Sequence, residues 1–195
     1  RAARFSRPAA KLKGRGVKFF SILVLCLLVT LPAMADGKHE MNEGSLALRQ
    51  GDFTAAVEHL SAAIDSGELV REANAAMRIS RAQALFHLEE YQRAANDLTA
   101  AIESGDINDT LVGIALATRA SAYRKMGDWT RAVEDFDAAI ALGTVNEKMY
   151  FHRGLTLVAA GQHARALEDF HRAHDMAPDN DAIREKLLEL GQVVD

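Results

Sequence analysis

The chain has one cysteine among its 195 residues, three prolines and one tryptophan. The cysteine, Cys26, lies in an apolar run near the start, so the rest of the chain has no disulfide or thiol chemistry and must hold together by packing. β-Branched residues are scattered, while Ala, Leu, Glu and Arg dominate, which favours helix over strand. There is no Gly-rich phosphate loop, no Gly-x-Ser-x-Gly and no His-Glu-x-x-His. The commonest signatures of nucleotide, acyl-transfer and zinc-hydrolase chemistry are therefore missing, and no catalytic residue or cofactor is expected. His171 and His174 share a helical face near His163, but no carboxylate or cysteine completes a ligand set, so no metal is expected.

Acidic residues are absent from positions 1–35. Seven basic residues (Arg1, Arg4, Arg7, Lys11, Lys13, Arg15 and Lys18) lead into an apolar run from Phe19 to Leu31, broken only by Ser21 and Thr30. Pro32-Ala33-Met34-Ala35 follows, a small-residue cleavage pattern. The three parts predict a secretory signal peptide over 1–35, cut between Ala35 and Asp36. A retained anchor is the competing reading, but the run is shorter than the roughly 20 residues a span needs, and Pro32 caps it. Leu25 stands where a lipid-attachment site at Cys26 would have a small residue. Cleavage would remove seven of the 23 Lys+Arg and none of the 27 Asp+Glu, taking the net charge from −4 to −11. So acidic a chain argues against a nucleic-acid partner, and export to a bacterial periplasm is the expected location, with no stable membrane insertion after cleavage. Asn108-Asp109-Thr110 fits a glycosylation sequon, which only eukaryotic secretion would use.

From residue 36 onward the chain repeats itself. The stretch Ala55-Ala56-Val57-Glu58-His59-Leu60-Ser61-Ala62-Ala63-Ile64 returns at Ala94–Ile102, at Ala132–Ile140 and at Ala166–Ala173. Turn signals fall at Gly51-Asp52-Phe53, Glu89-Glu90-Tyr91, Gly127-Asp128-Trp129 and Gly161-Gln162-His163. A second set, Gly67, Gly105 and Gly143, follows each Ala-Ala-Ile helix end, where a left-handed cap belongs. Between turns the apolar spacing is i, i+3, i+4, i+7. Each unit therefore reads as helix A, tight turn, helix B, loop, and a stack of such units usually binds other proteins.

These residues resemble the tetratricopeptide repeat (TPR) pattern. Small residues sit where helices A and B cross, at Gly44/Ala56, Ala82/Ala94, Ala120/Ala132 and Gly154/Ala166, where a larger side chain would cost about 1–3 kcal/mol. Leu60, Leu98, Phe136 and Phe170 would fill the space between units; the alternative is an aromatic ligand box. The resemblance implies an all-α fold, a right-handed α-solenoid of four helix-turn-helix units over about 37–70, 71–108, 109–145 and 146–180, plus a C-terminal capping helix and tail over 181–195. The turns are spaced 38, 38 and 34 residues apart, so helix A of repeats 2 and 3 starts a turn early or its loop is longer. The proline that usually closes a unit is present only as Pro178. Asp181 is the expected N-cap of the last helix and Gly191 its stop.

Comparison of the copies shows Arg81, Arg119 and Arg153 at one phase of helix A, and Asp97, Asp135 and Asp169 at one phase of helix B. Glu43 and His59 hold those places in repeat 1 with the signs exchanged. The expectation is a set of ion pairs that fix helix register; the alternative is surface charge that never meets.

The resemblance also implies a concave side lined by the A helices. Carried over position by position, the partner-binding groove comprises Arg49 from repeat 1 and Ile79, Gln83, Phe86 and His87 from repeat 2. Thr118, Ser121, Arg124 and Lys125 come from repeat 3, and Lys148, Phe151 and His152 from repeat 4. None is acidic, although the chain is, so the groove would suit a protein or peptide carrying carboxylates; the alternative is that the cations sit at the rim and balance charge. Family members that clamp a chaperone tail use Lys and Asn on helix A, but Met41, Ser45, Ser80, Ile114 and Thr118 occupy those places here, so chaperone-tail capture is not expected. The favoured function is an exported, non-catalytic scaffold or adaptor. The alternative is a structural subunit of a cell-envelope assembly, using its convex face or open N-terminal edge, with self-association.

Overall fold

The computed structural model describes residues 36–143 and 145–191. The signal peptide expected over 1–35 lies outside the described residues. Among the described residues there are nine helices and no strand. They run α1 (Gly37–Gln50), α2 (Phe53–Asp65), α3 (Arg71–His87), α4 (Tyr91–Glu103), α5 (Asp109–Lys125), α6 (Trp129–Ala141), α7 (Glu147–Ala159), α8 (His163–Met176) and α9 (Asp181–Glu189). Odd helices from α1 to α7 are the A helices, their even successors the B helices, and α9 packs on α8. The chain is an α-solenoid of helix-turn-helix repeats.

The turn from A to B is built the same way four times. The residue just before each B helix returns its N–H to a carbonyl five residues back: Asp52 to Ala47, Glu90 to Leu85, Asp128 to Tyr123 and Gln162 to Leu157, at 2.8–3.0 Å. That closure needs a left-handed residue before it. Gly51, Gly127 and Gly161 supply it with φ of 78°, 80° and 75°, while Glu89 does so at φ 62° with a side chain attached. Asp52 and Asp128 then cap their B helices by accepting from Ala55 and Arg131 N–H. α3 and α5 are 17 residues long against 14 and 13 for α1 and α7. The additional residues of the longer repeats thus extend helix A. At the far end Asn180, and not Asp181, is the N-cap: its side chain accepts from Ala182 N–H, and Asp181 is the first helical residue. Gly191 follows the last helix with φ 77°.

The crossing positions are sealed. Ala56, Ala82, Ala94, Ala120, Ala132 and Ala166 are fully buried. A Cβ on Gly154 would lie 2.7 Å from Phe170 Cε1, and one on Gly44 would lie 2.7 Å from Leu60 Cγ. Leu60, Leu98, Phe136 and Phe170 are buried core residues, with no more than 1% exposure. They pack the core between units, and Phe136 also borders a hollow on the A-helix row.

A charged clasp repeats beside this core. Arg81 grips Asp97 through Nε and Nη2 at 2.7 and 2.6 Å, Arg119 grips Asp135 at 2.8 and 2.8 Å, and Arg153 grips Asp169 at 2.7 and 2.6 Å. The third arm, Nη1, reaches the B helix of the preceding repeat: Arg81 to Ser61, Arg119 to Thr99 and Arg153 to Asp137. One guanidinium thereby ties three helices, and the aspartate hydrogen bond holds each arginine above its ordinary pKa. In repeat 1 His59 pairs with Glu40 at 2.7 Å, not with Glu43. Phase alone points to Glu43, but residues 40 and 43 share a helix face one turn apart, and it is Glu40 that reaches the imidazole.

Candidate interaction groove

Each A helix packs against the next A helix, whereas among the described residues no B helix packs comparably on the next B helix. The A helices are therefore the closer-set row, which puts them on the inside of the curve. Two adjoining hollows open on this row, and both are bordered by Phe86 and Thr118.

The first hollow, of about 420 Å³, lies between α3, α5 and α7 and includes Phe86, Thr118, Ser121, Arg124, Lys125, Lys148 and His152. Ile114, Ala117, Phe136, Asn146 and Met149 complete it. The second, between α1, α3 and α5, includes Arg49, Gln83, Phe86, His87 and Thr118, with Leu48, Gln50, Gly51 and Phe53. Here His87 stacks on Phe53 with ring centroids 4.1 Å apart and planes 7° apart, and Tyr91 meets Phe86 edge-on at 5.3 Å. No Asp or Glu borders either hollow.

Ten of the twelve residues named from sequence thus border the hollows. The other two do not. Ile79 is 4% exposed and packs with Leu85, Leu98 and Ala82 in the repeat core, so it offers almost no surface. Phe151 is half-buried against Phe170, 5.9 Å between centroids, and beside His152. The Thr118 and Ser121 hydroxyls donate to the Ile114 and Ala117 carbonyls of their own helix. Sequence comparison missed Asn146, whose side chain caps α7 by accepting from Met149 N–H.

The electrostatics of the first hollow are unusual for this chain. Arg124 and Lys125 occupy the last turn of α5, where cations complement the helix dipole. Arg124 Nε is nonetheless buried without a protein hydrogen-bond partner, and so is Nδ1 of His152. Burial pushes the Arg124 guanidinium below its ordinary value. Burial first, then the positive charges of Arg124 and Lys148, push the His152 imidazole down. The side chain is therefore neutral at neutral pH.

The comparisons with known proteins agree with the repeat geometry. A family model described as Tetratricopeptide repeat matches residues 41–108 and 118–181. No protein of curated function matches the chain. Among solved structures, MamA 41-end from Desulfovibrio magneticus RS-1 is 20% identical with a TM-score of 0.69, covering 82% of this chain and 86% of that one. A tetratricopeptide repeat protein from Parabacteroides merdae is 20% identical with a TM-score of 0.67, over 79% of this chain and 58% of that one. The second TPR domain of human RPAP3, solved in complex with the HSP70 peptide SGPTIEEVD, is 24% identical with a TM-score of 0.53, over 61% of this chain and 99% of that one. At such identities the likeness extends to the fold, and the matched repeats settle the kinship: the chain belongs to the tetratricopeptide repeat family.

Proposed function

We propose that the protein is a non-catalytic interaction scaffold that holds a peptide or protein partner along its A-helix row, and that the partner presents carboxylates there. The observation that carries this reading is the sign of the groove. The chain holds 27 acidic against 23 basic residues, yet the two hollows are bordered by Arg49, Arg124, Lys125 and Lys148 and by no acid. Apolar surface from Phe86 and Ile114 lies beside these cations, the combination that fixes a peptide through one buried side chain and a charge. The peptide complex of the RPAP3 domain supports the same use of a related fold. The basic, apolar and small-residue pattern of residues 1–35 further supports export to a bacterial periplasm, where the mature chain would act. N-terminal sequencing of the protein recovered from the envelope tests that point, with Asp36 as the expected first residue.

The functional test is the double reversal Arg124→Glu with Lys125→Glu. Both side chains lie at the end of α5 and make no ion pair among the described residues, so the helices should remain intact. Affinity capture from envelope extract should lose its partner while far-ultraviolet circular dichroism keeps its helical signature, the two reversed charges at the helix end costing about 1–2 kcal/mol of stability. Capture that survives the reversal would rule out the groove.

A further inference from the structure

We propose that the hollow between α3, α5 and α7 is a proton-coupled carboxylate site, in which a carboxylate settles among Arg124, Lys148 and His152 and its arrival protonates His152. The inference rests on the groove reading and adds the chemistry and regulation of its central pocket. The three arginines inside the repeat core are matched: Arg81, Arg119 and Arg153 each grip an aspartate with two nitrogens. Arg124 makes no such pair among the described residues, and its Nε is buried without a protein partner. His152 borders the same hollow, and its Nδ1 is likewise buried without a protein partner. Two residues that border one apolar-walled space, each with a buried nitrogen lacking a partner, and Lys148 beside them call for an anionic acceptor. Phe86 and Ile114 supply the wall for an apolar group attached to it.

The coupling follows from what faces His152. Arg124 from α5 and Lys148 from its own helix α7 act on it, both positive. Lys125 borders the same hollow, and α6 contributes the Phe136 ring. α8 meets α7 here through Phe170, which packs on Phe151. Burial first, and then these cations, keep the imidazole neutral. A bound carboxylate reverses the local sign and favours the protonated ring, which then donates to it. Binding therefore takes up a proton. Affinity rises as pH falls through the bound-state value and levels off once the free protein is itself protonated. Carboxylates remain ionised across this range, since their ordinary values lie near 4.

The test follows the histidine resonances of the full chain, labelled at histidine, by NMR, with His152 assigned through its loss in His152→Gln. Three probes are titrated: N-acetyl-leucine for a chain-terminal carboxylate, N-acetylglutamic acid α-amide for a side-chain carboxylate, and uncharged N-acetyl-leucinamide. The expected result is that at least one carboxylate raises the His152 titration midpoint and binds about three- to tenfold tighter at pH 5.5 than at pH 8, while the amide does neither. Whichever carboxylate acts more strongly identifies the source. His152→Gln should retain pH-independent binding, and Arg124→Gln should abolish the shift with an unchanged melting midpoint. The proposal is overturned if neither carboxylate moves the His152 midpoint, or if the amide moves it equally. Should the carboxylates fail while Arg124→Glu with Lys125→Glu still abolishes partner capture, the proton-coupled pocket falls and the groove stands. Should the carboxylates bind while capture ignores that reversal, the pocket stands and the groove falls.

Discussion

Replacing Arg119 by methionine tests whether the repeated clasp holds the stack. The guanidinium makes two 2.8 Å bonds to Asp135 and a third, also 2.8 Å, to Thr99 on the preceding repeat. The two charged side chains are 16% and 11% exposed, so water screens them little. Methionine keeps much of the stem and removes the charge, leaving the Asp135 carboxylate inside the protein without its partner. Breaking a buried pair from one side costs about 3–5 kcal/mol, a large share of the roughly 5–15 kcal/mol that holds a domain together. With a urea slope of about 2 kcal/mol per molar, the midpoint should fall by about 1.5–2.5 M. Arg119→Met combined with Asp135→Leu removes both charges and should return to within about 1 kcal/mol of the parent, because desolvation and attraction nearly cancel. Thr99→Val should cost about 1.5–3 kcal/mol, the loss of one hydrogen bond to a charged group. Urea melts followed by far-ultraviolet circular dichroism measure all four proteins. A loss below about 0.5 kcal/mol for Arg119→Met, with no recovery in the double variant, would show that the pair is solvated and that packing alone sets the register.

Glu89→Gly should stabilise the chain by about 0.5–1 kcal/mol, since Glu89 is the only residue other than glycine with positive φ among the described residues and relief of side-chain strain exceeds the entropy of glycine; a lower melting midpoint would contradict this. Leu98→Ala should cost about 2–5 kcal/mol, because the side chain is fully buried and a cavity remains; urea melts give the figure. His152 titrates below its ordinary 6.5 in the folded chain, so the unfolded chain binds more protons there. Stability from this site is complete above about pH 6.5 and is lost as pH falls from there toward the folded-state value. His152→Phe should lose less stability than the parent between pH 7 and pH 5, and parallel pH profiles would refute the burial argument.

The repeats were legible because each structural demand recurs in register. Small residues at the crossings, glycine at the turns and large residues between units serve one geometry in successive copies, so comparing the copies exposes it. The Arg–Asp phase was legible for the same reason. Its third arm was available but overlooked: Ser61, Thr99 and Asp137 also share a phase on successive B helices, and each accepts from the arginine of the next repeat. Other features depend on rotations smaller than a repeat comparison can resolve. Glu40 rather than Glu43 meets His59 because the two glutamates differ by one turn on one face. Asn180 rather than Asp181 caps α9 because adjacent polar residues are both chemically suited, and only backbone geometry selects one. Ile79 was assigned to the groove from family positions, yet it turns inward, since core and groove positions alternate along one A helix. The condition of His152 was not legible at all: it arises from burial and from charges on two helices, which no local pattern records.

Hydrogen–deuterium exchange on the partner-bound protein tests the central claim most directly. The account predicts that binding slows exchange along α1, α3, α5 and α7, most strongly near the ends of α5 and α7 that carry Arg124 and His152, and leaves α2, α4, α6 and α8 as in the free protein. Protection concentrated on the B helices, with the A-helix row unchanged, would contradict it.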